Sequence, residues 1–313
     1  MKLIKPKFWN SKYNFFSILL IPITLLTLIY IYFKNKLTKK IKFNIPIICV
    51  GNLYIGGTGK TPASLFLAQE LKKLGKRPVI IRKYYKDHFD EYNLIKKKFN
   101  HVIVEKKRSE AIIKAQNQNY DVVILDDGFQ DIKIQKDLNI ICFNQNQLIG
   151  NGLVIPSGPL RESLNALKRA QIILINGKKD EQFERKIFNI NKDLLIFYSK
   201  YYPENIDNFK NKKLMAIAAI GNPENFFYLL EKNNLIINKK LIFPDHHNFT
   251  LNEFNKIILD AEKNDLSIIM TEKDFYKVKD FKNMNFDYLK VSLIINDKDN
   301  FINTINRLSN EKN

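Results

Sequence analysis

The chain has 313 residues, of which 45% are hydrophobic and 27% charged, a composition that excludes a disordered protein and allows one large core or two smaller ones. Its formal net charge of +19 suggests an anionic partner: a nucleic acid, an acidic membrane surface or a phosphorylated substrate. Lysine is abundant along the whole chain, so compositional drift explains the charge equally well, and no nucleic-acid-binding motif accompanies it. Two cysteines and four histidines lie in no metal-ligand spacing, which argues against a zinc site.

The segment Phe15 to Phe33 has no charged residue, and lysines flank it on both sides. It is about long enough to cross a bilayer core, and it is long for a signal peptide, which would also need a small-residue cleavage site. A buried core helix is the other alternative, but the uniform hydrophobicity and the basic flanks favour a membrane. We therefore predict an N-terminal membrane helix within residues 1–42. Because Pro22 favours a kink and the flanking charges nearly balance, spanning and monotopic arrangements both stay open.

A glycine-rich stretch follows the apolar run 45–50 and opens a helical pattern. Strand, glycine-rich turn and helix start, in that order, are typical of a phosphate-binding loop, whose backbone N–H groups surround an anion. The full phosphate-loop pattern has Gly at the position of Tyr54, and its compact GGxGKT variant has Lys at the position of Ile55. Because the sequence departs from both patterns, the alternative is a β–α turn that contains Gly-Lys-Thr by chance. The candidate nucleotide-binding residues of this loop are Gly56, Gly57, Thr58, Gly59, Lys60 and Thr61. Lys60 is expected to reach the terminal phosphates of ATP, and the Thr61 hydroxyl to bind Mg²⁺.

Short β-branched runs alternate with helical patterns from this loop onward. That alternation is typical of a parallel sheet with helices on both faces. We therefore predict an α/β fold with a P-loop NTPase-like domain over residues 43–195. A second, smaller α/β domain is predicted over 196–313, with an extended linker near 193–213.

Two carboxylates, Asp126 and Asp127, directly follow the apolar run 122–125. Because the carboxyl ends of parallel strands meet at one sheet edge, we expect these side chains beside the phosphate loop, where P-loop enzymes bind Mg²⁺. A polar Asp-Asp-Gly turn is the alternative. Further along, a loop rich in glycine and proline ends in Arg161 and Glu162. Arg161 suits an anion, and Glu162 is equally suited to be a metal ligand or a charge at a helix N-terminus.

Charged residues also follow strands of the second domain. His246 and His247 lie in the loop before a helix that Thr250 begins, and the run Thr271-Glu272-Lys273-Asp274 follows the next strand. Loops between a strand and a helix often contain active-site groups, although neutral histidines in loops are more often plain surface residues.

Taken together, these motifs resemble the lipid A 4′-kinase (tetraacyldisaccharide 4′-kinase) family over nearly the whole chain. The matching motifs are GN…GGTGKTP at 51–62, DDGFQ at 126–130, GNG…PSGPLRE at 150–162, IGNPENFF at 220–227, FPDHHNF at 243–249 and TEKD at 271–274. The resemblance implies transfer of the ATP γ-phosphate to the 4′-hydroxyl of a tetraacylated glucosamine disaccharide 1-phosphate. It also implies two α/β/α domains joined by a two-stranded linker, with the active site between them.

The resemblance further implies that an Asp–His pair, matched here by Asp90 and His246, accepts the proton of the sugar hydroxyl. Since the predicted domain boundary separates these two residues, we expect the pair to form only when the domains close. The chain departs from the family pattern at Tyr92, where the family has Pro, and at Asp131, where it has His. These departures affect the lining of the substrate pocket and the assignment of Asp90.

In this interpretation the cofactors are ATP and Mg²⁺, with Thr61, Asp126, Asp127 and Glu162 as candidate metal ligands and Arg161 as a phosphate ligand. The partners are the acylated glucosamine disaccharide 1-phosphate and a membrane surface, with no nucleic acid and no obligate protein partner. We expect the protein at the cytoplasmic face of the inner membrane. A membrane-associated regulatory or targeting P-loop ATPase is the alternative, although it gives the 150–162 motif no role.

Overall fold

A computed structural model of the chain describes residues 6–11, 14–86, 89–245, 247–279, 281 and 286–310. The helices within these residues are Phe15–Leu19 (α1), Ile21–Leu37 (α2), Lys60–Lys73 (α3), Phe89–Lys98 (α4), Arg108–Asn117 (α5), Glu181–Phe188 (α6), Pro223–Lys232 (α7), Leu251–Lys263 (α8), Glu272–Val278 (α9) and Lys298–Asn310 (α10). The strands are Ile47–Gly51 (β1), Pro78–Lys83 (β2), Val102–Glu105 (β3), Val122–Asp126 (β4), Leu138–Asn144 (β5), Ile172–Asn176 (β6), Leu195–Pro203 (β7), Lys213–Ala218 (β8), Ile236–Ile242 (β9), Ser267–Thr271 (β10), Phe286–Leu289 (β11) and Val291–Ile295 (β12).

The strands form two sheets in the described part of the chain. The larger has the order β12-β7-β6-β5-β1-β4-β2-β3, and its neighbours from β7 to β3 pair in parallel. The smaller has the order β11-β10-β8-β9 and is parallel throughout. Every residue of β1, β4 and β5 is buried, which requires cover on both faces of the sheet. The predicted α/β fold with a parallel sheet is thus confirmed.

The chain divides into two compact units. The smaller contains Tyr85–Lys98 and Tyr201–Ser292, and the larger contains the described residues of Lys5–Tyr84, Phe99–Lys200 and Leu293–Asn313. The chain therefore passes between the units after Tyr84, after Lys98, within β7 and within β12.

This division differs from the ranges expected from the sequence at two places, α4 and the C-terminal segment. Helix α4 belongs to the smaller unit, because it packs on α9 through an ion pair between Lys98 and Glu272 (2.5 Å). Helix α10 belongs to the larger unit, because Phe301 packs edge-on against Phe197 of β7 and lies close to Phe66 of α3. Both contacts join segments that are distant in the sequence, so the linear pattern does not reveal them.

The apolar N-terminal segment forms two helices, where the sequence predicted one. The helices α1 and α2 meet at Leu20, and Pro22 stands in the first turn of α2. Proline has no N–H to give to a preceding turn and its ring clashes with that turn, so a continuous helix through this point is unfavourable. No helix within the described residues combines the length and hydrophobicity that crossing a bilayer requires, and the predicted membrane helix is not supported.

The two helices contact the rest of the larger unit through polar groups as well as through Leu28 and Ile31, which pack against its core. Ser17 and Thr24 are both buried. The Thr24 hydroxyl lies 2.8 Å from Ser157 Oγ and accepts a hydrogen bond from the Ser157 N–H at 3.1 Å. Asn151 Nδ2 donates to Ser17 Oγ at 3.2 Å, and the indole N–H of Trp9, just before α1, donates to the Pro156 carbonyl at 3.0 Å. The loop 150–162 is therefore the surface on which the N-terminal helices are fixed.

Candidate active site

Strand register explains why the two predicted motifs of the larger unit meet. Strand β1 pairs with β4 so that Val50 lies opposite Asp126. On the other side of β4, β2 pairs so that Ile81 lies opposite Leu125, which brings Arg82 to the level of Asp126. The phosphate-loop strand, the carboxylates and Arg82 thus share one edge of the parallel sheet.

The glycines at the ends of these strands allow close packing between the motifs. A Cβ atom at Gly51 would lie 2.5 Å from Cβ of Phe129, so only glycine permits this approach. Beside it, Gln130 Nε2 donates to the Asn52 carbonyl at 2.9 Å. The GN pair at 51–52 and the DDGFQ run therefore support each other's conformation.

The glycine-rich loop has the backbone conformation that phosphate binding needs. Gly56, Gly57 and Gly59 have φ values of 76°, 46° and 90°, in the left-handed region that glycine adopts at little cost. Gly59 is the N-cap of α3, so the first N–H groups of that helix are directed toward the loop.

The residue that departs from the full phosphate-loop pattern, Tyr54, has a structural role. Its side chain is buried, and its backbone forms a β-bridge with Leu160. The next residue, Ile55, donates its N–H to the Pro159 carbonyl at 3.0 Å. Both departures therefore lie where the loop is fixed to the segment 150–162.

Asp126 is a buried carboxylate surrounded by donors. Its Oδ2 accepts from the Thr61 hydroxyl at 3.0 Å and lies 3.4 Å from Arg82 Nη1, and its Oδ1 accepts from the Ser64 hydroxyl at 3.2 Å. Burial raises the pKa of Asp126 despite the neighbouring cations Arg82 and Lys60. A divalent cation beside this carboxylate would stabilise its ionised form.

Asp127 has the opposite electrostatic character. Burial alone would raise its pKa, but Lys60 and Arg161 outweigh that effect and lower the pKa to about 2. Arg161 Nη1 donates to its Oδ1 at 2.8 Å, and Lys60 Nζ lies 3.8 Å from the same oxygen. The residue has a left-handed backbone (φ 60°), and Arg108 Nη2 donates to its carbonyl at 2.6 Å. Arg108 thus stabilises Asp127 in a strained backbone conformation. The Asp127 carboxylate in turn orders the side chains of Lys60 and Arg161, two cations that can bind phosphate.

Glu162, the third carboxylate among the candidate metal ligands, forms a different pair. Its Oε2 accepts from Arg169 Nη2 at 2.7 Å, and the Arg169 guanidinium lies over the Phe129 ring at 4.5 Å. Its other oxygen is buried and has no hydrogen-bond partner among the described residues. No group of three or more His, Cys, Asp or Glu in the described chain is placed to hold a metal. The structure therefore joins Thr61 with Asp126, and Asp127 with Lys60 and Arg161.

Several site residues were missed by the sequence reasoning. Arg82 ends a strand of the same parallel sheet, so the rule that located Asp126 would have located it too. Ser64 follows Thr61 by one helical turn, a spacing that places both hydroxyls on the same face. Arg108 and Arg169 begin or end other elements, and nothing in their sequence neighbourhood indicates their partners.

The candidate proton acceptor Asp90 belongs to the smaller unit. Asp90 lies in the first turn of α4, and only its backbone is described. His246 lies outside the described residues. Its neighbour His247 has a local structural role, since its Nε2 lies 2.8 Å from Glu253 Oε2 and its ring stacks on Phe243. With α4 in the smaller unit, Asp90 lies outside the larger unit in which the sequence led us to expect it.

Comparison with known proteins gives consistent results over the whole chain. A family model described as tetraacyldisaccharide-1-P 4′-kinase matches residues 16–310. The chain is similar to the tetraacyldisaccharide 4′-kinases of Pelagibacter ubique (40% identical, covering 100% of both chains), Francisella tularensis subsp. novicida (33%, 93% of this chain and 99% of the relative) and Rickettsia akari (32%, 96% and 95%). Its fold is similar to that of an LpxK crystal structure from Aquifex aeolicus in complex with ATP (TM-score 0.72, 25% identical, 93% of this chain and 99% of that one).

Proposed function

This chain belongs to the tetraacyldisaccharide-1-P 4′-kinase family, and we propose that it transfers the γ-phosphate of ATP to the 4′-hydroxyl of a tetraacylated disaccharide 1-phosphate, a lipid A precursor. One observation supports this most: the motifs at 51–62, 126–130 and 150–162 converge on one cluster of cations and carboxylates at the edge of the larger sheet. A fold similar to an ATP complex agrees with it.

ATP is held by the glycine-rich loop and α3. Its phosphates fit the left-handed turn of Gly56 to Gly59, where backbone N–H groups and the positive end of α3 favour an anion. Lys60 and Arg161 are both paired with Asp127, and a nucleotide phosphate offers each a second anion. Asp127 therefore orders these cations before ATP arrives, which lowers the entropy cost of binding.

Mg²⁺ suits the Thr61–Asp126 pair. Both provide oxygen atoms, which this ion prefers, and phosphate-bound Mg²⁺ usually takes only one or two protein ligands. When bound, the ion neutralises charge that develops on the phosphates during transfer. Ser64 and Arg82 keep the Asp126 carboxylate oriented toward Thr61. Glu162, with one buried oxygen not used by Arg169, is a further candidate ligand.

The proton of the sugar hydroxyl passes to Asp90, directly or through His246. Phosphoryl transfer needs little covalent help from the protein, but a hydroxyl nucleophile is a poor one until a base accepts its proton. Asp90 belongs to the smaller unit, whereas the ATP-binding residues belong to the larger. The two tasks thus fall to different parts of the chain.

Helices α1 and α2 rest on the membrane surface at the cytoplasmic face of the inner membrane, where ATP is available. Their exposed side chains are mostly apolar and include Phe15, Phe16, Ile18, Leu19, Ile23, Leu25, Leu26 and Ile29. A continuous apolar surface of this kind suits the interface of a bilayer. Lys34 and Lys36 in the last turn of α2 suit anionic headgroups. The acyl chains of the substrate would then stay in the bilayer.

The membrane contact is tested by flotation with vesicles of mixed zwitterionic and anionic phospholipid. Leu26→Glu puts a charge on the exposed face of α2 and is expected to abolish co-flotation. Leu259→Glu is the matched control, because Leu259 is equally exposed (64% against 67%) but lies on α8 of the smaller unit. Equal flotation of both variants and the wild type would contradict the proposed surface.

The activity itself is tested by incubating the protein with γ-labelled ATP and the tetraacylated disaccharide 1-phosphate. We expect label in the lipid fraction, dependent on Mg²⁺. Label released only as inorganic phosphate, with no labelled lipid, would contradict the proposal and favour a regulatory or targeting ATPase.

A further inference from the structure

One lysine of the smaller unit contacts two acidic residues from separate segments. Lys273 Nζ lies 3.0 Å from Glu91 Oε1 and 3.1 Å from Asp245 Oδ1. Glu91 is in the first turn of α4, and Asp245 is in the loop between β9 and α8. Only 14% of the Lys273 side chain is exposed, so a partly desolvated ammonium joins the two segments.

Helix α9, which bears Lys273, is fixed firmly to the sheet. The carboxylate of Asp274 is fully buried. Its Oδ2 accepts from the Thr271 hydroxyl at 2.7 Å and from the Ala219 N–H at 2.8 Å, and Lys277 Nζ lies 2.7 Å from its Oδ1. The start of α9 is thereby joined to the ends of β8 and β10, which gives Lys273 a rigid base.

The same helix also contacts the far end of α4. Glu272 pairs with Lys98 at 2.5 Å, and Lys97 Nζ lies over the Tyr276 ring at 4.0 Å. These contacts set the position of the C-terminal turn of α4. The ion pair between Lys273 and Glu91 is a contact to its N-terminal turn.

We propose that Lys273 is a positioning residue for the phosphoryl-transfer reaction, one that holds the N-terminal turn of α4 and the loop after β9 in register. The proposal rests on the proposed function, because Glu91 adjoins Asp90 and Asp245 adjoins His246 in the sequence. Each ion pair fixes the backbone one residue from a candidate proton acceptor. Small displacements of such groups cost large factors in rate, while ATP binding in the larger unit does not depend on them.

The test compares Lys273→Met, Lys273→Arg and the control Lys240→Met in the full-length protein. Lys240 is likewise a lysine of the smaller unit in an ion pair, and its Nζ lies 2.6 Å from Glu231 Oε1. We expect Lys273→Met to lower kcat at least tenfold with the KM for ATP within twofold of wild type. Lys273→Arg is expected to recover most of kcat, because its guanidinium retains two donors for two carboxylates. Lys240→Met is expected to match wild type.

A loss of thermal stability in Lys273→Met with unchanged kcat would overturn the proposal, as would an equal effect on the KM for ATP. If Lys273→Met does not fold, the single-arm variants Glu91→Gln and Asp245→Asn replace it. Each keeps the ammonium and one ion pair, and each is expected to lower kcat severalfold. Unchanged kcat in both would overturn the proposal.

A double-mutant comparison adds a readout that general destabilisation would not reproduce. Glu91→Gln is expected to have no further effect on kcat in the Lys273→Met background, since the pair is already broken. Additive effects would overturn the proposal. Asp90→Asn distinguishes failure of the proposed proton acceptor from failure of the positioning role of Lys273. A wild-type kcat in Asp90→Asn refutes Asp90 as the proton acceptor. A slow Asp90→Asn beside a fully active Lys273→Met refutes only the positioning role.

Discussion

Acidic residues stand at or just beyond the ends of strands β4 and β10, and their carboxylates have different roles at the two strand ends. After β4, in the larger unit, Asp126 and Asp127 face a helix N-terminus, Lys60 and Arg161, groups that also attract phosphate and metal. After β10, in the smaller unit, Asp274 is enclosed by Thr271, Ala219 and Lys277. Asp126 and Asp127 thus lie beside groups that can also bind a ligand, whereas the Asp274 carboxylate is used in hydrogen bonds and an ion pair within the smaller unit.

The connection after each strand explains the difference. Between β1 and α3 a glycine-rich loop leaves backbone N–H groups without helical partners beside the carboxylates of β4. After β10 the helix α9 begins at once, and its cap residue Thr271 and Asp274 bond each other. A carboxylate at a strand end therefore indicates a ligand site only when the neighbouring loop leaves backbone N–H groups without hydrogen-bond partners in the secondary structure.

The largest expected effect of a substitution on the rate of lipid phosphorylation is at Lys60. Lys60→Met removes the cation expected at the terminal phosphates, and we expect kcat for lipid phosphorylation to fall by roughly 10³-fold. The rate of labelled-lipid formation at saturating ATP measures it, with Lys240→Met as the control for loss of a lysine. Retention of more than a tenth of the wild-type rate would place Lys60 outside the reaction.

Asn substitutions at the two strand ends should have opposite consequences. Asp274→Asn removes the negative charge that Lys277 Nζ contacts at 2.7 Å inside the fold, and we expect the free energy of unfolding to fall by about 3 kcal/mol with ATP affinity unchanged. Asp126→Asn removes a carboxylate whose pKa is raised by burial, so stability at neutral pH should not fall, whereas Mg²⁺-dependent turnover should drop about 10²-fold.

Urea unfolding and turnover, measured on both variants, check this pair of predictions. If Asp126→Asn is strongly destabilised while Asp274→Asn loses turnover with normal stability, the assignment of ligand site and structural site is reversed.

Asp127 predicts a pH dependence of stability. Its pKa is lowered from 3.8 to about 2, so its ionised form stabilises the folded state above pH 4, and this contribution is lost as the pH falls from about 4 to 2. At neutral pH it amounts to about 2 kcal/mol. Urea unfolding of the wild type and Asp127→Asn should therefore show a stability difference that shrinks below pH 4. A difference independent of pH would show that the carboxylate is not held by Lys60 and Arg161.

The smallest effect concerns the attachment of the N-terminal helices. Thr24→Val removes the hydroxyl that contacts Ser157 and leaves the size of the side chain nearly unchanged. We expect a loss of about 1 kcal/mol in stability and little change in kcat. Thr27→Val is the control, since that hydroxyl is exposed and bonds only within its own helix, to the Ile23 carbonyl. Equal effects of the two variants would argue against docking through Thr24.

Local patterns in the sequence were enough to predict the phosphate loop, the carboxylates after β4 and the parallel α/β fold. The rule that parallel strands end at one sheet edge correctly brought Thr61 to Asp126. The same rule, applied to β2, would also have added Arg82.

Features that depend on long-range contacts were not predictable. Glu162 pairs with Arg169 and Asp127 with Arg108, and neither arginine stands in a motif. The N-terminal segment was predicted from its hydrophobicity as one helix, but Pro22 divides it, and two of its polar residues, Ser17 and Thr24, face inward. A hydropathy pattern reports how apolar a segment is, and it does not report which side the rest of the protein covers.

The assignment of ATP binding to the larger unit and of the proton acceptor to the smaller unit is tested most directly on Asp90→Asn. ATP affinity and the rate of lipid phosphorylation are determined on the same preparation. If the larger unit binds ATP and the smaller provides the proton acceptor, the Kd for ATP stays within twofold of wild type while kcat falls at least 10²-fold. Wild-type kcat, or a parallel loss of ATP affinity, would contradict this division of tasks.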